Sequence, residues 1–210
     1  MNTEVFDWQN KIDDAELNRT VQVLKDGGIV IFPTETVYGI GANAYNSEAV
    51  RRIYEVKNRP DEKPLSIMVS GIDEIEKYAV IENESERKII NSFMPGPITV
   101  ILKKKPGLFD YISSGKDTIG IRIPDNKIVL EILKKLQLPI VAPSANISGM
   151  PSGVDLNNIL KDFDGKVDVC INGGKAKLGE ASTIVKVIDG APVILRQGKI
   201  TLDEIKRVCK

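Results

Sequence analysis

Two basic residues at a spacing of two, Lys57 and Arg59, are the first candidates for chemistry, and Lys63 lies nearby. Side chains two apart in an extended segment point the same way, and Pro60 disfavours helical geometry at Arg59, so both cations are expected to face one pocket. Three cations around one loop suit a phosphate chain, which arginine can bind through two parallel hydrogen bonds. The alternative is structural, since cations at a helix C-terminus stabilise its dipole by roughly 0.3–1 kcal/mol.

A second polar pair, Ser144 and Asn146, directly follows a short apolar run at 140–142. The serine hydroxyl and the asparagine amide can both donate and accept hydrogen bonds. Turn formation explains the same residues, because Ser, Asn, Pro and Gly are the usual turn formers. The pair alone leaves a binding role and a turn role open.

Two arginines interrupt apolar strand patterns. Arg122 lies within 118–123, and a half-buried guanidinium there needs an anionic partner. That partner is either an internal carboxylate or a substrate carboxylate. Arg196, near the C-terminus, likewise needs an internal or a substrate anion. The glycine-rich segment 173–183 could approach a ligand closely or simply be flexible.

The composition excludes several mechanisms. The 210 residues include no histidine, which removes Ser-His triads, histidine metal ligands and imidazole acid–base catalysis. Lys+Arg and Asp+Glu both number 29, so an anion site must come from local clustering. The two cysteines form no disulfide or metal-ligand pattern. With no signal-peptide pattern and no long apolar run, a cytoplasmic protein without a membrane segment is expected.

The hydrophobic patterns predict the elements that must position these residues. Helices are predicted from a cap at Asp13 or Asp14 to the stop at Gly27, from a cap at Ser47, and over 72–78, 84–93, 127–136, 156–163 and 202–208. Strands are predicted over 29–32, 65–69, 98–102, 118–123, 140–142, 167–171, 183–188 and 193–195. The order lacks strict βαβ alternation, which favours an α/β fold with a mixed sheet and helices on its faces. No linker or repeat is evident, so a single domain over 1–210 is expected.

Nucleotide-binding signatures give little support to a nicotinamide-cofactor enzyme. The segment 39–44, GIGANA, matches a relaxed dinucleotide fingerprint between a strand and a helix. However, 33–46 is predicted to be a polar loop, and the helix is predicted to begin only at Ser47, so its N-terminus would not meet a pyrophosphate. The phosphate-loop pattern fails because Ala176 follows Gly174 and Lys175.

Taken in chain order, these motifs resemble one family. The YrdC-type threonylcarbamoyl-AMP synthases are similar over roughly 14–210, in FPTETVYGIGANA, KNRPDEKPL, MPGPITVIL, TIGIRIPDN, APSANISG, EASTIV and ILRQG. A KxR pair with a later SxN pair is the hallmark of that family. The chain resembles its short, single-domain form. The resemblance implies a YrdC-like twisted sheet of parallel and antiparallel strands around an open cationic cavity.

The resemblance also implies a reaction and a set of roles. L-Threonine, bicarbonate or CO₂, and ATP would give threonylcarbamoyl-AMP and pyrophosphate, with Mg²⁺ assisting. A downstream tRNA threonylcarbamoyltransferase would be the partner, and tRNA itself a further contact. The implied catalytic residues are Lys57, Arg59, Ser144 and Asn146; those for ATP are Lys57, Arg59, Thr118, Asn146 and Arg196; those for threonine are Thr34, Lys63, Arg122, Ser144 and Ser182. The position of Lys63 varies among family branches, which weakens its assignment.

Two further functions share this fold. One is a non-enzymatic RNA-binding protein, whose KxR and SxN elements are expected to be degraded, whereas both are intact here. The other is the carbamoyl-transfer domain of hydrogenase-maturation proteins, which adjoins acylphosphatase and zinc-finger segments. This chain has neither the length nor the cysteines for those segments.

Overall fold

One mixed β-sheet runs through the computed structural model, which describes residues 2–210. Its strands are β1 (Glu4–Asp7), β2 (Val30–Phe32), β3 (Gly39–Asn43), β4 (Ser66–Met68), β5 (Ala79–Val80), β6 (Ile98–Lys104), β7 (Thr118–Arg122), β8 (Ile140–Val141), β9 (Val169–Asn172), β10 (Thr183–Ile188) and β11 (Ala191–Arg196). The strand order is β1-β9-β2-β3-β8-β4-β7-β6-β10-β11, and β5 pairs with β6 off this path. Parallel pairs such as β4–β7 and antiparallel pairs such as β6–β7 confirm the predicted mixed sheet.

Eight helices accompany the sheet in the described residues: α1 (Asp14–Lys25), α2 (Ser47–Val56), α3 (Ile72–Tyr78), α4 (Glu84–Phe93), α5 (Asp110–Ser113), α6 (Lys127–Leu136), α7 (Leu156–Phe163) and α8 (Leu202–Cys209). Asp13 caps α1 by accepting from the backbone N–H groups of Ala15 and Glu16, which confirms that expectation. The predicted cap at Ser47 is wrong. Asn46 caps α2 through its side-chain oxygen, and Ser47 is the first helical residue.

The sheet separates two hydrophobic cores, and β2 contributes to both. Val30 and Phe32 belong to the core under α1 and α6, whereas Ile29 and Ile31 belong to the larger core on the other face. This alternation follows from the two-residue period of a strand. It explains why 29–32 is an uninterrupted apolar run.

The predicted loop at 33–46 is wrong in its second half, because Gly39–Asn43 forms β3 and pairs antiparallel with β2. The glycines of this strand make room for an aromatic ring. A Cβ added at Gly39 or Gly41 would lie 2.9 or 2.6 Å from the ring of Phe32. The GxGxxA match therefore reflects strand packing, and the nicotinamide-enzyme interpretation is wrong. The loop 33–38 is the connection of a β-hairpin.

Candidate functional site

A small cavity of about 130 Å³ lies over the face of β4 and β7, where four loops converge. We call it the arginine cavity, because among the described residues three arginines and no Asp or Glu line it. Its lining residues are Thr36, Val37, Arg59, Pro64, Leu65, Ser66, Ile67, Met68, Thr99, Arg122, Ala142, Pro143, Ser144, Ala181, Ser182, Ile184 and Arg196. The cavity thus brings together residues that are separated by more than half of the chain.

Arg59 reaches this cavity from the turn after α2, but not by the predicted geometry. Lys57 ends α2 with φ −90° and ψ −7°, and Asn58 has a left-handed φ of 48°. The segment is therefore not extended, and the argument that a spacing of two aligns both side chains is wrong. The Arg59 guanidinium donates to the backbone carbonyls of Lys63 at 3.3 Å and Pro64 at 2.9 Å, which fixes it at the cavity wall. Burial lowers the pKa of Arg59 from its ordinary value.

Lys57 lies behind the cavity and is only 2% exposed. Its ammonium donates to the backbone carbonyls of Ser144 at 2.6 Å and Asn146 at 2.5 Å. In return, the carbonyl of Lys57 accepts from the backbone N–H of Ser148 at 2.8 Å. Burial, and then the charge of Arg59, lower the pKa of Lys57 to about 8. Lys57 therefore ties the loop 144–148 to the end of α2.

Ser144 and Asn146 form an internally bonded loop. The Ser144 hydroxyl donates to the side-chain oxygen of Asn146 at 2.6 Å. The Asn146 amide nitrogen donates to the carbonyls of Ile147 at 2.9 Å and Met150 at 2.7 Å. Ser144 lines the arginine cavity, whereas Asn146 lies outside its lining and beside a neighbouring cleft. Both residues therefore stabilise the turn, and Ser144 also lines the cavity.

Arg122 has the internal carboxylate partner that its strand position required. Its Nη2 donates to Glu35 Oε1 at 2.7 Å and to the Thr36 hydroxyl at 2.9 Å, and all three side chains are buried. The other carboxylate oxygen of Glu35 and the Nε of Arg122 are buried without a hydrogen-bond partner. The pair is therefore held through one guanidinium nitrogen, not by a two-point fork.

On the opposite wall, Arg196 and Ser182 are joined. The Arg196 guanidinium donates to the carbonyl of Ser182 at 2.8 Å and to its hydroxyl at 3.0 Å. The Ser182 hydroxyl also lies 3.0 Å from the hydroxyl of Thr99. Burial, and then the positive charges of Arg122 and Arg59, lower the pKa of Arg196. Since Arg59, Arg122 and Arg196 line one cavity, their positive charges act on the same space, which favours an anionic ligand.

Three further candidate residues lie outside the arginine cavity, as Lys57 and Asn146 do. The Thr34 hydroxyl lies 2.7 Å from that of Thr36 and donates to the carbonyl of Val37, so it organises the hairpin loop behind the cavity. Lys63 is exposed and absent from the lining residues. Thr118 lies in an adjoining cavity of about 430 Å³, the apolar groove, lined by Pro64, Leu65, Ser66, Ile101, Lys116, Thr118, Gly120, Ile184, Lys186, Ile188 and Leu195.

The sequence did not single out Glu35, Thr36, Ser66 or Thr99. Glu35 and Thr36 stand in the polar loop after β2, but nothing in their spacing showed that the loop folds back onto β7. Ser66 and Thr99 are polar positions within predicted strands, and they line the cavity because β4 and β6 flank β7. For Ser66 and Thr99, the one available signal in the sequence was a polar residue inside an otherwise apolar strand pattern.

Two kinds of site are absent from the described residues. No helix in 2–210 is long and apolar enough to cross a membrane. No group of three or more Cys, Asp or Glu side chains there is arranged to hold a metal ion. The fold and the cavity together define an α/β protein with a cavity lined by three arginines.

Comparison with known proteins identifies the family. A family model described as telomere recombination, of the Sua5, YciO and YrdC proteins, matches residues 22–198. A Pyrococcus abyssi protein named threonylcarbamoyl-AMP synthase is 37% identical over 98% of this chain and 61% of its own length. A putative threonylcarbamoyl-AMP synthase from Methanocaldococcus jannaschii is 44% identical over 94% of each chain. The chain therefore belongs to the Sua5, YciO and YrdC family.

A solved structure agrees with that assignment. The crystal structure of P. abyssi Sua5 complexed with L-threonine has a TM-score of 0.94 to this chain at 37% sequence identity. The match covers 98% of this chain and 61% of that one. The chain thus spans less than two thirds of the length of this relative, while it spans nearly all of the M. jannaschii protein.

Proposed function

We propose that the protein is an L-threonylcarbamoyladenylate synthase, a nucleotidyltransferase that acts in tRNA modification. It makes threonylcarbamoyl-AMP and pyrophosphate from L-threonine, bicarbonate or CO₂, and ATP. The observation that carries this proposal is the arginine cavity, where three guanidiniums from separate parts of the chain meet serine and threonine hydroxyls. The family membership, and the P. abyssi relative crystallised with L-threonine, point to the same ligands.

The amino acid fits the arginine cavity, and the nucleotide fits the cavity together with the apolar groove. At about 130 Å³ the cavity is smaller than the ~300–1,000 Å³ of drug-sized ligand sites. Arg122 would hold the threonine carboxylate, with Ser144 and Ser182 bonding its other polar groups. The apolar groove shares Pro64, Leu65, Ser66 and Ile184 with the cavity, so the two are adjacent.

The positive charge of the arginine cavity suits a triphosphate. Arg59 and Arg196 both line the arginine cavity and would neutralise the phosphates of ATP, while Thr118 would contact the nucleotide from the groove. Thr34 would act through Thr36, to which it is bonded. Lys63 would bind threonine only if its exposed side chain turned toward the cavity.

Lys57 and Asn146 would act by shaping the loop that carries Ser144. The Lys57 ammonium donates to two carbonyls of that loop, and the Asn146 amide bonds within it. Lys57 is also absent from the lining of the arginine cavity. Both residues therefore keep a role in catalysis by fixing the position of the Ser144 hydroxyl.

The chemistry needs charge stabilisation more than a strong base. The neutral amine of threonine forms a bond to the carbon of CO₂, one C=O π pair moves onto oxygen, and the nitrogen releases a proton to solvent to give a carbamate. A carbamate oxygen then attacks the α-phosphorus of ATP, and pyrophosphate leaves with the electrons of the broken P–O bond. Fixed cations around the phosphates stabilise the charge that develops in this step.

Mg²⁺ would enter with the nucleotide. No carboxylate lines the arginine cavity, and Glu35 is already engaged by Arg122, so the described residues offer no anionic metal ligand there. Mg²⁺ commonly binds through substrate phosphates, and that mode would suffice here.

The remaining expectations are part of the same proposal. A single domain over 1–210 is supported by the one sheet that connects β1 to β11. A cytoplasmic protein that passes its labile product to a tRNA threonylcarbamoyltransferase, with or without direct tRNA contact, follows from the reaction. The alternative, a non-enzymatic RNA-binding protein, predicts RNA affinity without ATP turnover.

Pyrophosphate release in the presence of threonine, bicarbonate and ATP tests the proposal. Arg59→Ala is expected to reduce turnover at least 100-fold at saturating substrate, since one cation that contacts developing phosphate charge contributes about 3 kcal/mol. Arg51→Ala is the matched control, because Arg51 is an exposed arginine of α2 whose partners are Glu48 and Glu55. Equal turnover in both variants would remove the role assigned to Arg59.

A further inference from the structure

Within residues 2–210, Glu35 is the one carboxylate that forms an ion pair with an arginine of the cavity, and it does not line the cavity itself. Its side chain instead borders a separate groove on the other side, together with residues such as Asp125 and Lys127. The Arg122–Glu35 pair therefore stands between two cavities. Glu35 contacts the arginine cavity through Arg122, and it otherwise acts on a ligand there only through its charge.

Two contacts with the hairpin loop fix the orientation of the Arg122 guanidinium. Nη2 is held by two acceptors at once, Glu35 Oε1 at 2.7 Å and Thr36 Oγ1 at 2.9 Å. Arg122 itself is 6% exposed and Glu35 is 5% exposed, so solvent screens this contact only weakly. Glu35 and Thr36 are neighbours in the hairpin loop, and that loop is braced by Thr34 through the contact between the two threonine hydroxyls.

Two polar atoms of this pair are unsatisfied, although buried polar atoms are nearly always bonded. A two-point fork would have used Nε of Arg122 and the second oxygen of Glu35, and it would have turned the plane of the guanidinium. The observed contact holds the guanidinium through Nη2 alone, while Arg122 lines the cavity.

We infer that Glu35 is a positioning residue for amino-acid recognition, which holds Arg122, together with Thr36, in the orientation that receives a carboxylate. This inference rests on the proposed function and adds a residue that acts on the amino acid but not on the nucleotide. The hairpin loop after β2 then contributes to amino-acid recognition. It does so by orienting Arg122, the last residue of β7.

Glu35→Gln distinguishes a positioning role from simple charge compensation, because the two roles predict opposite changes in the KM for threonine. Loss of a negative charge near the cavity would by itself tighten the binding of every anion, and ATP more than threonine. A positioning role predicts weaker binding of threonine and no weakening of ATP binding. We expect the KM for threonine to rise at least fivefold, with the KM for ATP unchanged or lower.

Two further variants complete the experiment. Thr36→Val removes the second acceptor without changing charge, and it is expected to raise the threonine KM at least threefold even if Glu35→Gln folds poorly. Glu86→Gln is the matched control, since Glu86 is also 5% exposed but caps the backbone N–H of Glu82, away from the cavity. It is expected to leave both KM values within twofold of the wild type.

The outcomes distinguish failure of the inference from failure of the proposed function. A wild type that releases no pyrophosphate from threonine, bicarbonate and ATP refutes the function. An active wild type whose Glu35→Gln and Thr36→Val variants keep the threonine KM, or shift both KM values together, refutes the positioning role. A lowered melting temperature with unchanged KM values would make the pair purely structural.

Discussion

The contacts of Lys57 differ from those that the spacing of the KxR motif suggested. The KxR pattern suggested two cations directed at phosphate, yet the Lys57 ammonium binds two backbone carbonyls of the loop that carries Ser144. Asn58 adopts a left-handed conformation between the two cations. The spacing of the two cations did not predict these contacts, because the path of the turn decides what each side chain touches and depends on tertiary contacts.

Lys57 gives a pH prediction with a definite sign. Below about pH 8 both the folded and the unfolded chain hold its proton, so folding bears the full cost of burying the ammonium. Between pH 8 and 10.5 the folded chain releases the proton while the unfolded chain keeps it, so the free energy of unfolding rises with pH. The gain is at most about 3 kcal/mol.

Denaturant unfolding of the wild type and of Lys57→Met from pH 7 to 10.5 isolates this contribution. The difference between the two, wild type minus variant, is expected to increase across that range, because the variant lacks the titrating group. A constant difference would mean that the pKa of Lys57 is not lowered.

At the scale of elements, the strongly periodic segments were predictable and the short ones were not. Helices α3, α4, α6 and α7 have the predicted bounds, because each presents a clear apolar stripe. Strand β3 was mistaken for a loop, since its glycines suppress the strand pattern while they make room for Phe32. Strand β1 is four residues long and alternates between exposed and partly exposed positions, which leaves little signal.

Gly198 determines how closely the segment after β11 approaches β10. Its backbone packs against Ala181 and Thr183 so tightly that an added Cβ would collide with their main-chain atoms. The Thr183 hydroxyl donates to Ile200 and accepts from Gly198 and Ile200, which holds this segment in place. Arg196 and Ser182 lie at the two ends of this contact, so their pairing depends on it.

Gly198→Ala is accordingly expected to destabilise the fold by about 1–3 kcal/mol and to raise the KM for ATP severalfold. Gly71→Ala is the control, because its Cβ would meet only the flexible carboxylate end of Asp73. Urea denaturation and steady-state kinetics measure the two effects. An unchanged KM for ATP in a destabilised Gly198→Ala protein would show that Arg196 does not depend on this contact.

At the scale of the whole molecule, the sheet order explains the site. Strands β4, β7, β6 and β10 are consecutive neighbours, so Met68, Arg122, Thr99 and Ser182 come from adjacent strands or their ends. The hairpin loop after β2 and the turn after α2 then close the cavity from above the sheet. The fold class and the family were predictable from the sequence, whereas the Glu35–Arg122 pair depends on the way this loop folds back.

The product formed from ATP, ¹³C-bicarbonate and threonine tests the central claim most directly. Mass spectrometry is expected to detect threonylcarbamoyl-AMP carrying the labelled carbon, formed only when all three substrates are present, together with an equal amount of pyrophosphate. An ATP-independent RNA complex with no adenylate product, or an adenylate without the labelled carbon, would contradict the account.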